Sequence, residues 1–183
     1  VRACRRLTPA TERKPLVAGN SPQSILKVVV LPAPFGPTTM STTSAAPSPP
    51  SVCTDSTIEV AQGQDVAVRM YGRKKTGQAS PVVVHFHGGA FMSGDLDNGC
   101  TVGSSLAAAG ACVVSLAYPL APEHPFPRPL ELGYEVLLWA YKQRSKLAGK
   151  GAPLYLAGEE AGANLAAGVC MMARDQQQPP LAG

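Results

Sequence analysis

Three short segments of the chain combine glycines with histidine or carboxylate side chains, and these segments could carry chemistry. They are His87-Gly88-Gly89-Ala90-Phe91, the run from Tyr118 to Pro127, and Gly158-Glu159-Glu160-Ala161-Gly162-Ala163-Asn164. The backbone N–H groups of two adjacent glycines can stabilise negative charge that develops on a carbonyl oxygen, because no side chain blocks their approach. Gly88 and Gly89 meet that requirement, although a Gly-Gly pair alone is more typical of a plain turn that ends a strand.

The histidines suggest a second kind of chemistry. His85 and His87 lie two residues apart, so that they would share one face of a strand. Two histidines on one face could provide two of the ligands of a zinc ion. The sequence offers no evident third ligand and no Cys-x-x-Cys pair. We therefore predict that the chain holds no metal.

Apolar runs and turns predict the elements that must position these segments. Residues 57–60 and 66–71 alternate apolar and polar side chains around a Gly/Gln turn, which predicts an antiparallel hairpin. Residues 81–86 form a short β-branched run that is typical of a strand buried on both faces. A small-residue helix over 98–109 and an apolar strand over 111–116 follow. Strand, helix and strand in this order predict parallel pairing.

A second unit repeats this order of elements. Residues 129–147 show a helical period, residues 154–157 form an apolar strand, and residues 161–174 form an alanine-rich helix. The apolar face predicted for the first of these helices consists of Leu130, Tyr134, Leu137, Leu138 and Tyr141. The sequence thus predicts the α/β class, with a mostly parallel sheet, an N-terminal antiparallel hairpin and flanking helices. Each chemistry-bearing segment follows a strand, and ligands of such sheets bind at the carboxyl ends of the strands.

Taken together and in this order, the three segments resemble the motifs of the hormone-sensitive-lipase-like branch of the α/β-hydrolase superfamily, the esterases and lipases of the α/β-hydrolase fold-3 family. The family's His-Gly-Gly-Gly is similar to His87-Gly88-Gly89-Ala90, and its Tyr-Arg-Leu-Ala-Pro-Glu-His-Pro-Phe-Pro is similar to residues 118–127. Its Gly-Asp-Ser-Ala-Gly-Gly-Asn is similar to residues 158–164, and the resemblance extends from Val66 to Arg174. It implies a partial α/β-hydrolase fold, an ester or another small molecule as ligand, and no cofactor.

The resemblance also implies a role for each matching residue. The backbone N–H groups of Gly88, Gly89 and Ala161 would form the oxyanion hole. Glu160 occupies the position of the family's nucleophilic serine, on a strained strand-to-helix turn called the nucleophile elbow. The positions that shape the site rather than react are His87, Ala90, His124, Gly158 and Gly162.

The residue at position 160 bears directly on activity. An activated serine hydroxyl forms the acyl-enzyme in this family, whereas a carboxylate that attacks an ester carbonyl would give a mixed anhydride. The family's triad acid and histidine follow the nucleophile, but no histidine follows Glu160, and Asp175, the one later acid, lies too near the elbow. We therefore expect impaired serine-triad catalysis, and we expect residues 53–183 to form a truncated α/β-hydrolase domain.

Other interpretations of the same residues remain open. The site could bind a small ligand without turnover, for which a cation would suit Glu160, or the chain could be a truncated gene product without activity. The Glu160 carboxylate could also displace a leaving group at saturated carbon, with a histidine base from outside the chain. Two acids at the start of a helix also stabilise the helix dipole, and this would account for Glu159 and Glu160 without any chemistry.

Composition separates the first 52 residues from the rest. They contain nine of the eighteen prolines and no sustained period, so we predict that residues 1–52 form an irregular or disordered tail. The chain has a net charge of +4, but six of its sixteen Lys and Arg residues and only one acid lie in the first fifty residues. Because the basic excess lies outside the predicted domain, we predict no nucleic-acid partner.

Cysteine usage and hydropathy bear on the compartment and on assembly. Five cysteines, odd in number and widely spaced, favour free thiols in a reducing environment. No apolar run approaches the length of a transmembrane helix, so we predict a cytoplasmic protein without a membrane span. A sheet that ends with the strand at 154–157 would leave a parallel edge open, and self-association through that edge is a further prediction.

Overall fold

The computed structural model describes residues 29–31, 53–72 and 78–182. The six strands are β1 (Val29–Leu31), β2 (Cys53–Glu59), β3 (Asp65–Tyr71), β4 (Val82–Phe86), β5 (Cys112–Leu116) and β6 (Leu154–Glu159). The three α-helices are α1 (Cys100–Ala108), α2 (Arg128–Ala148) and α3 (Ala161–Asp175). The predicted boundaries lie within two residues of these for every predicted element except β2, which begins four residues before Thr57.

The strands form one sheet in the order β1-β6-β4-β5-β3-β2. β4 lies near its centre and pairs in parallel with β5 and β6, so that Val84 lies opposite Val114 and Leu156. Every residue of β4 and β5 is buried, as expected for parallel strands that are covered on both faces. β2 and β3 form the antiparallel hairpin, which joins the sheet through β3 and β5. The predicted α/β class is therefore confirmed.

The short strand β1 was not predicted. It pairs in parallel with β6, from Val29 opposite Ala157 to Leu31 opposite Glu159. Its residues belong to the apolar run Val28-Val29-Val30-Leu31, a signal of the kind that predicted β4, but the proline-rich composition around it led us to predict an irregular tail. β1 occupies part of the edge of β6 that we expected to be open, so the premise for self-association through that edge fails at residues 157–159. The rest of the predicted tail over residues 1–52 lies outside the described residues.

The helices cover both faces of the sheet. α2 and α3 pack over β4 and β6 in the larger core cluster, whereas α1 packs on the opposite face against side chains such as Tyr71 and Val113. In the part of the chain that the structure describes, none of these helices combines the length and the apolar character that a membrane crossing needs.

The buried face of α2 differs from the predicted one. Of the five predicted residues Leu137 is fully buried, and the half-buried ones are Leu130, Tyr134, Leu138 and Tyr141. The other buried side chains of the central turns belong to Leu132, Val136 and Ala140. The physical reason lies at Gly133, where an added Cβ would come within 2.7 Å of the Phe86 ring. Gly133 therefore lets α2 contact Phe86 directly, while Leu130 and Tyr134 are half-buried and pack at the border of the core.

Candidate active site

The turn between β6 and α3 consists of the single residue Glu160, and its backbone is strained. Its φ is 53° and its ψ is −119°, a combination that residues other than glycine rarely adopt. The carbonyl oxygen of Glu160 accepts the Ala163 N–H at 3.1 Å, which closes the first turn of α3. The Glu160 side chain is exposed, whereas Gly158 and Ala161 on either side are buried. This turn is the strand-turn-helix context that the sequence predicted.

Two glycines allow the turn to pack against its neighbours. A Cβ at Gly158 would lie 2.3 Å from the carbonyl oxygen of Gly162. A Cβ at Gly162 would lie 2.2 Å from the carbonyl oxygen of Phe86 and 2.4 Å from that of His87. These atoms belong to the backbone and cannot rotate away. The start of α3 therefore touches the end of β4 directly at Gly162.

The loop after β4 meets the turn through the N–H groups of two glycines. The Gly89 N–H donates to Oε2 of Glu160 at 2.8 Å, and the Gly88 N–H donates to Oε1 of Glu159 at 3.2 Å. A Cβ at Gly88 would lie 2.7 Å from the same Glu160 oxygen, so the carboxylate closely covers this glycine. The structure thus brings Gly88, Gly89 and Glu160 together. The two N–H groups that we expected to face a substrate oxygen both contact carboxylates of the chain.

Glu159 also belongs to a buried network that the sequence analysis missed. Its Oε2 lies 2.7 Å from Nε2 of His85, whose Nδ1 lies 2.9 Å from Oγ of Ser115. Because a carboxylate only accepts, Nε2 of His85 carries the hydrogen of that bond. His85 and Ser115 are fully buried and lie opposite each other in the register of β4 and β5. The signal that could have revealed this network is a histidine inside an apolar run, because a buried histidine needs a polar partner.

His87 packs against Tyr118, the first residue of the second motif. The two rings stack with centroids 4.3 Å apart, and the Tyr118 hydroxyl donates to the carbonyl oxygen of His87 at 2.8 Å. Nδ1 of His87 donates to the carbonyl oxygen of Gly88 at 2.7 Å. Burial, and then the negative charges of Glu159 and Glu160, raise the pKa of Tyr118 to about 12. These contacts fix the loop that carries Gly88 and Gly89.

The structure also describes the other three predicted residues, His124, Ala90 and Ala161. His124 is exposed and lines a cavity beside α3. Ala90 is exposed in a turn with a φ of 52°, and Ala161 is buried as the first residue of α3. Their predicted roles in the site remain predictions.

The cavity beside α3 was not predicted from the sequence. Its volume is about 670 Å³, and its walls come from the loops after β4 and β5 and from α2 and α3. Side chains that line it include Phe91, Phe126, Leu130, Asn164 and Met171. Asn164 lies one helical turn beyond Glu160, so the cavity begins near the elbow and extends along α3. Its largely apolar wall suits an apolar ligand.

The histidine pair does not form a metal site in the described part of the chain. His85 lies within β4 and contacts Glu159 and Ser115, whereas His87 follows the strand and stacks on Tyr118. Over residues 29–31, 53–72 and 78–182, no three side chains of His, Cys, Asp or Glu are grouped closely enough to hold a metal ion.

Known proteins resemble this chain along the segment that carries these residues. A family model described as "alpha/beta hydrolase fold" matches residues 83–183, more than half of the chain. The carboxylesterase NlhH of Mycobacterium tuberculosis is 38% identical over 118 residues, which cover 64% of this chain and 37% of that protein. Human hormone-sensitive lipase is 40% identical over 93 residues, which cover 50% of this chain and 9% of the lipase.

A solved structure agrees with these sequence matches. The hyperthermophilic esterase from the archaeon Pyrobaculum calidifontis superposes with a TM-score of 0.64 at 38% sequence identity. The match covers 72% of this chain and 43% of that esterase. The chain therefore spans less than half the length of the relatives that it matches.

Proposed function

The chain belongs to the alpha/beta hydrolase fold family, and we propose that it is an esterase/lipase-like protein in which serine-triad catalysis is impaired. The observation that carries this proposal is the residue at the elbow. The strained backbone presents Glu160 where a nucleophile would stand, and its carboxylate lies 2.8 Å from the Gly89 N–H. Carboxylic esters are the substrate class that the named esterase relatives suggest.

The chemistry of a carboxylate supports impaired ester hydrolysis. A serine hydroxyl loses its proton to a base, attacks the ester carbonyl and forms an acyl-enzyme that water can hydrolyse. A carboxylate in the same place would form a mixed anhydride, and its charge would oppose the oxyanion that develops beside it. Among the described residues, His85 is bound to Glu159 and Ser115, His87 stacks on Tyr118, and His124 lies in the cavity. None of them contacts Glu160 as a base.

The proposal is tested by measuring two properties of the whole chain: whether a fluorophosphonate labels a serine, and how fast the protein hydrolyses an ester. The unmodified protein should show no fluorophosphonate labelling and should hydrolyse p-nitrophenyl butyrate at the background rate. Glu160→Ser should restore the motif but little activity, because no base lies beside residue 160 in the described structure. The matched control is Glu160→Ala, which also removes the carboxylate but adds no hydroxyl. A labelled serine in the unmodified protein, or rapid hydrolysis by Glu160→Ser, would contradict impaired catalysis.

A second candidate function, binding of a small apolar ligand without turnover, is favoured by the cavity of about 670 Å³ beside α3. A ligand that binds the folded protein raises its melting temperature by mass action. We expect short alkyl esters or alcohols to stabilise the protein in a thermal-shift assay. Met171→Glu should abolish the shift, because this half-exposed side chain lines the cavity. A screen in which no such ligand raises the melting temperature would count against this function.

The cysteines support our proposal of a reducing compartment such as the cytoplasm. The described cysteines, Cys53, Cys100, Cys112 and Cys170, are free thiols. Cys112 and Cys170 are buried, and burial raises the pKa of both thiols. A raised pKa keeps these thiols protonated and therefore slow to react.

A further inference from the structure

The loop after β4 offers two consecutive backbone N–H groups to the elbow, and both are taken by carboxylates. The Gly89 N–H donates to Glu160 at 2.8 Å and the Gly88 N–H donates to Glu159 at 3.2 Å. Hydrogen bonds from amide N–H groups to an ionised carboxylate are stronger than those to a neutral oxygen. These two N–H groups, which we name the glycine cradle, therefore form an anion site that the chain fills from within.

The position of Glu160 makes it an effective internal occupant. Its side chain projects from the first residue before α3, where the unpaired N–H groups of the helix also favour negative charge. The side chain is tethered to the cradle, so an external anion competes against a group that is always present at high effective concentration. The charge of Glu160 would also repel such an anion at close range.

We propose that Glu160 is a built-in blocking group, and that shortening its side chain opens the glycine cradle to an external carboxylate. The ligand class is a monocarboxylate with an apolar tail. The head would accept the Gly89 N–H in place of Glu160, and the tail would enter the cavity that begins one turn along α3 at Asn164. This binding is an equilibrium property of the protein and does not depend on whether the chain hydrolyses esters.

The experiment is a titration of ¹⁵N-labelled protein with sodium hexanoate. NMR spectra monitor the amide resonances of Gly88 and Gly89 at each step. The unmodified protein should bind hexanoate weakly. Glu160→Ala should bind it about tenfold more tightly, because the ligand gains a hydrogen bond from the freed N–H group to a charged oxygen. The Gly89 resonance should move upfield when Glu160 is shortened and should move back when hexanoate is added.

Two matched variants distinguish occupation of the glycine cradle by the Glu160 carboxylate from other effects of the substitution. Glu160→Gln removes the charge but keeps an oxygen that can accept the Gly89 N–H, so it should gain less affinity for hexanoate than Glu160→Ala gains. The double variant Glu160→Ala with Gly88→Ala adds a Cβ at a point 2.7 Å from the former position of the Glu160 oxygen, and it should lose the gained affinity. Circular dichroism verifies that each variant is folded, and the Gly89 shift in Glu160→Ala remains decisive if the double variant does not fold.

Hexanol provides the control for the ligand, since it carries the same tail without the charged head. It should bind the unmodified protein and Glu160→Ala equally. The proposal is overturned if Glu160→Ala binds hexanoate no more tightly than the unmodified protein, or if the Gly89 resonance does not respond. It is also overturned if Glu160→Gln gains the same affinity, because charge repulsion without occupancy would then explain the effect. None of these results would bear on the esterase assays, which measure turnover.

Discussion

Replacing Gly162 by alanine is expected to destabilise the protein by about 3 kcal/mol, which is large for the addition of one methyl group. The added Cβ would lie 2.2 Å from the carbonyl oxygen of Phe86 and 2.4 Å from that of His87. Both atoms belong to the backbone at the end of a central strand, so the helix or the strand has to move. Urea unfolding followed by circular dichroism measures the change in the free energy of unfolding.

Gly168 of the same helix provides the matched control. A Cβ there would meet the end of the flexible Leu130 side chain at 2.7 Å, and its next neighbours lie at 3.9 Å. Alanine gains about 1 kcal/mol over glycine in a helix interior, which offsets the displacement of Leu130. Gly168→Ala should therefore stay within about 1 kcal/mol of the unmodified protein. If Gly162→Ala and Gly168→Ala lower the free energy of unfolding equally, the contact between α3 and β4 is looser than these distances indicate.

Truncating Phe86 to alanine should cost about 4 kcal/mol of unfolding free energy. The ring is fully buried at the end of β4, and the close approach at Gly133 places it against α2. It also lies 6.5 Å from the Tyr118 ring, centroid to centroid. Its removal leaves a cavity between β4 and α2. Thermal and denaturant unfolding of the same sample measure the loss.

Phe126→Ala is the control for this truncation, because the same ring is removed where it is 81% exposed. Exposed substitutions of this kind change the unfolding free energy by about 0.5 kcal/mol or less. A loss at Phe126 as large as the loss at Phe86 would contradict the assignment of the core. A Phe86 variant of unchanged stability would contradict it as well.

The sequence predicted most of the fold because its signals are local. Apolar runs of four to six residues marked β4, β5 and β6, alternating apolar and polar residues marked the hairpin of β2 and β3, and a helical period marked α2. The buried face of α2 was predicted in part wrongly, because a glycine carries no hydrophobic signal although Gly133 lies directly against the Phe86 ring. β1 was missed because pairing of Val29–Leu31 with β6 joins segments that lie far apart in the chain.

The candidate site was predictable where its residues lie in recognisable motifs. The order of the motifs brought Gly88, Gly89 and Glu160 into one prediction, and the structure places them in contact. The network of Ser115, His85 and Glu159 joins three strands, so no single window of sequence contains it. The contact of both glycine N–H groups with carboxylates depends on side-chain directions that spacing does not reveal.

The strained turn at residue 160 has a consequence for how this scaffold can change over time. Its positive φ accompanies the packing of Gly158 and Gly162 against backbone atoms, and the side chain of Glu160 lies outside those two contacts, against Gly88 and Gly89. The packing of Gly158 and Gly162 thus compensates the conformational free energy of the turn, whichever residue occupies position 160. The apex is an interchangeable position, where evolution or a designer can replace one reactive group with another while the architecture beneath it stays the same.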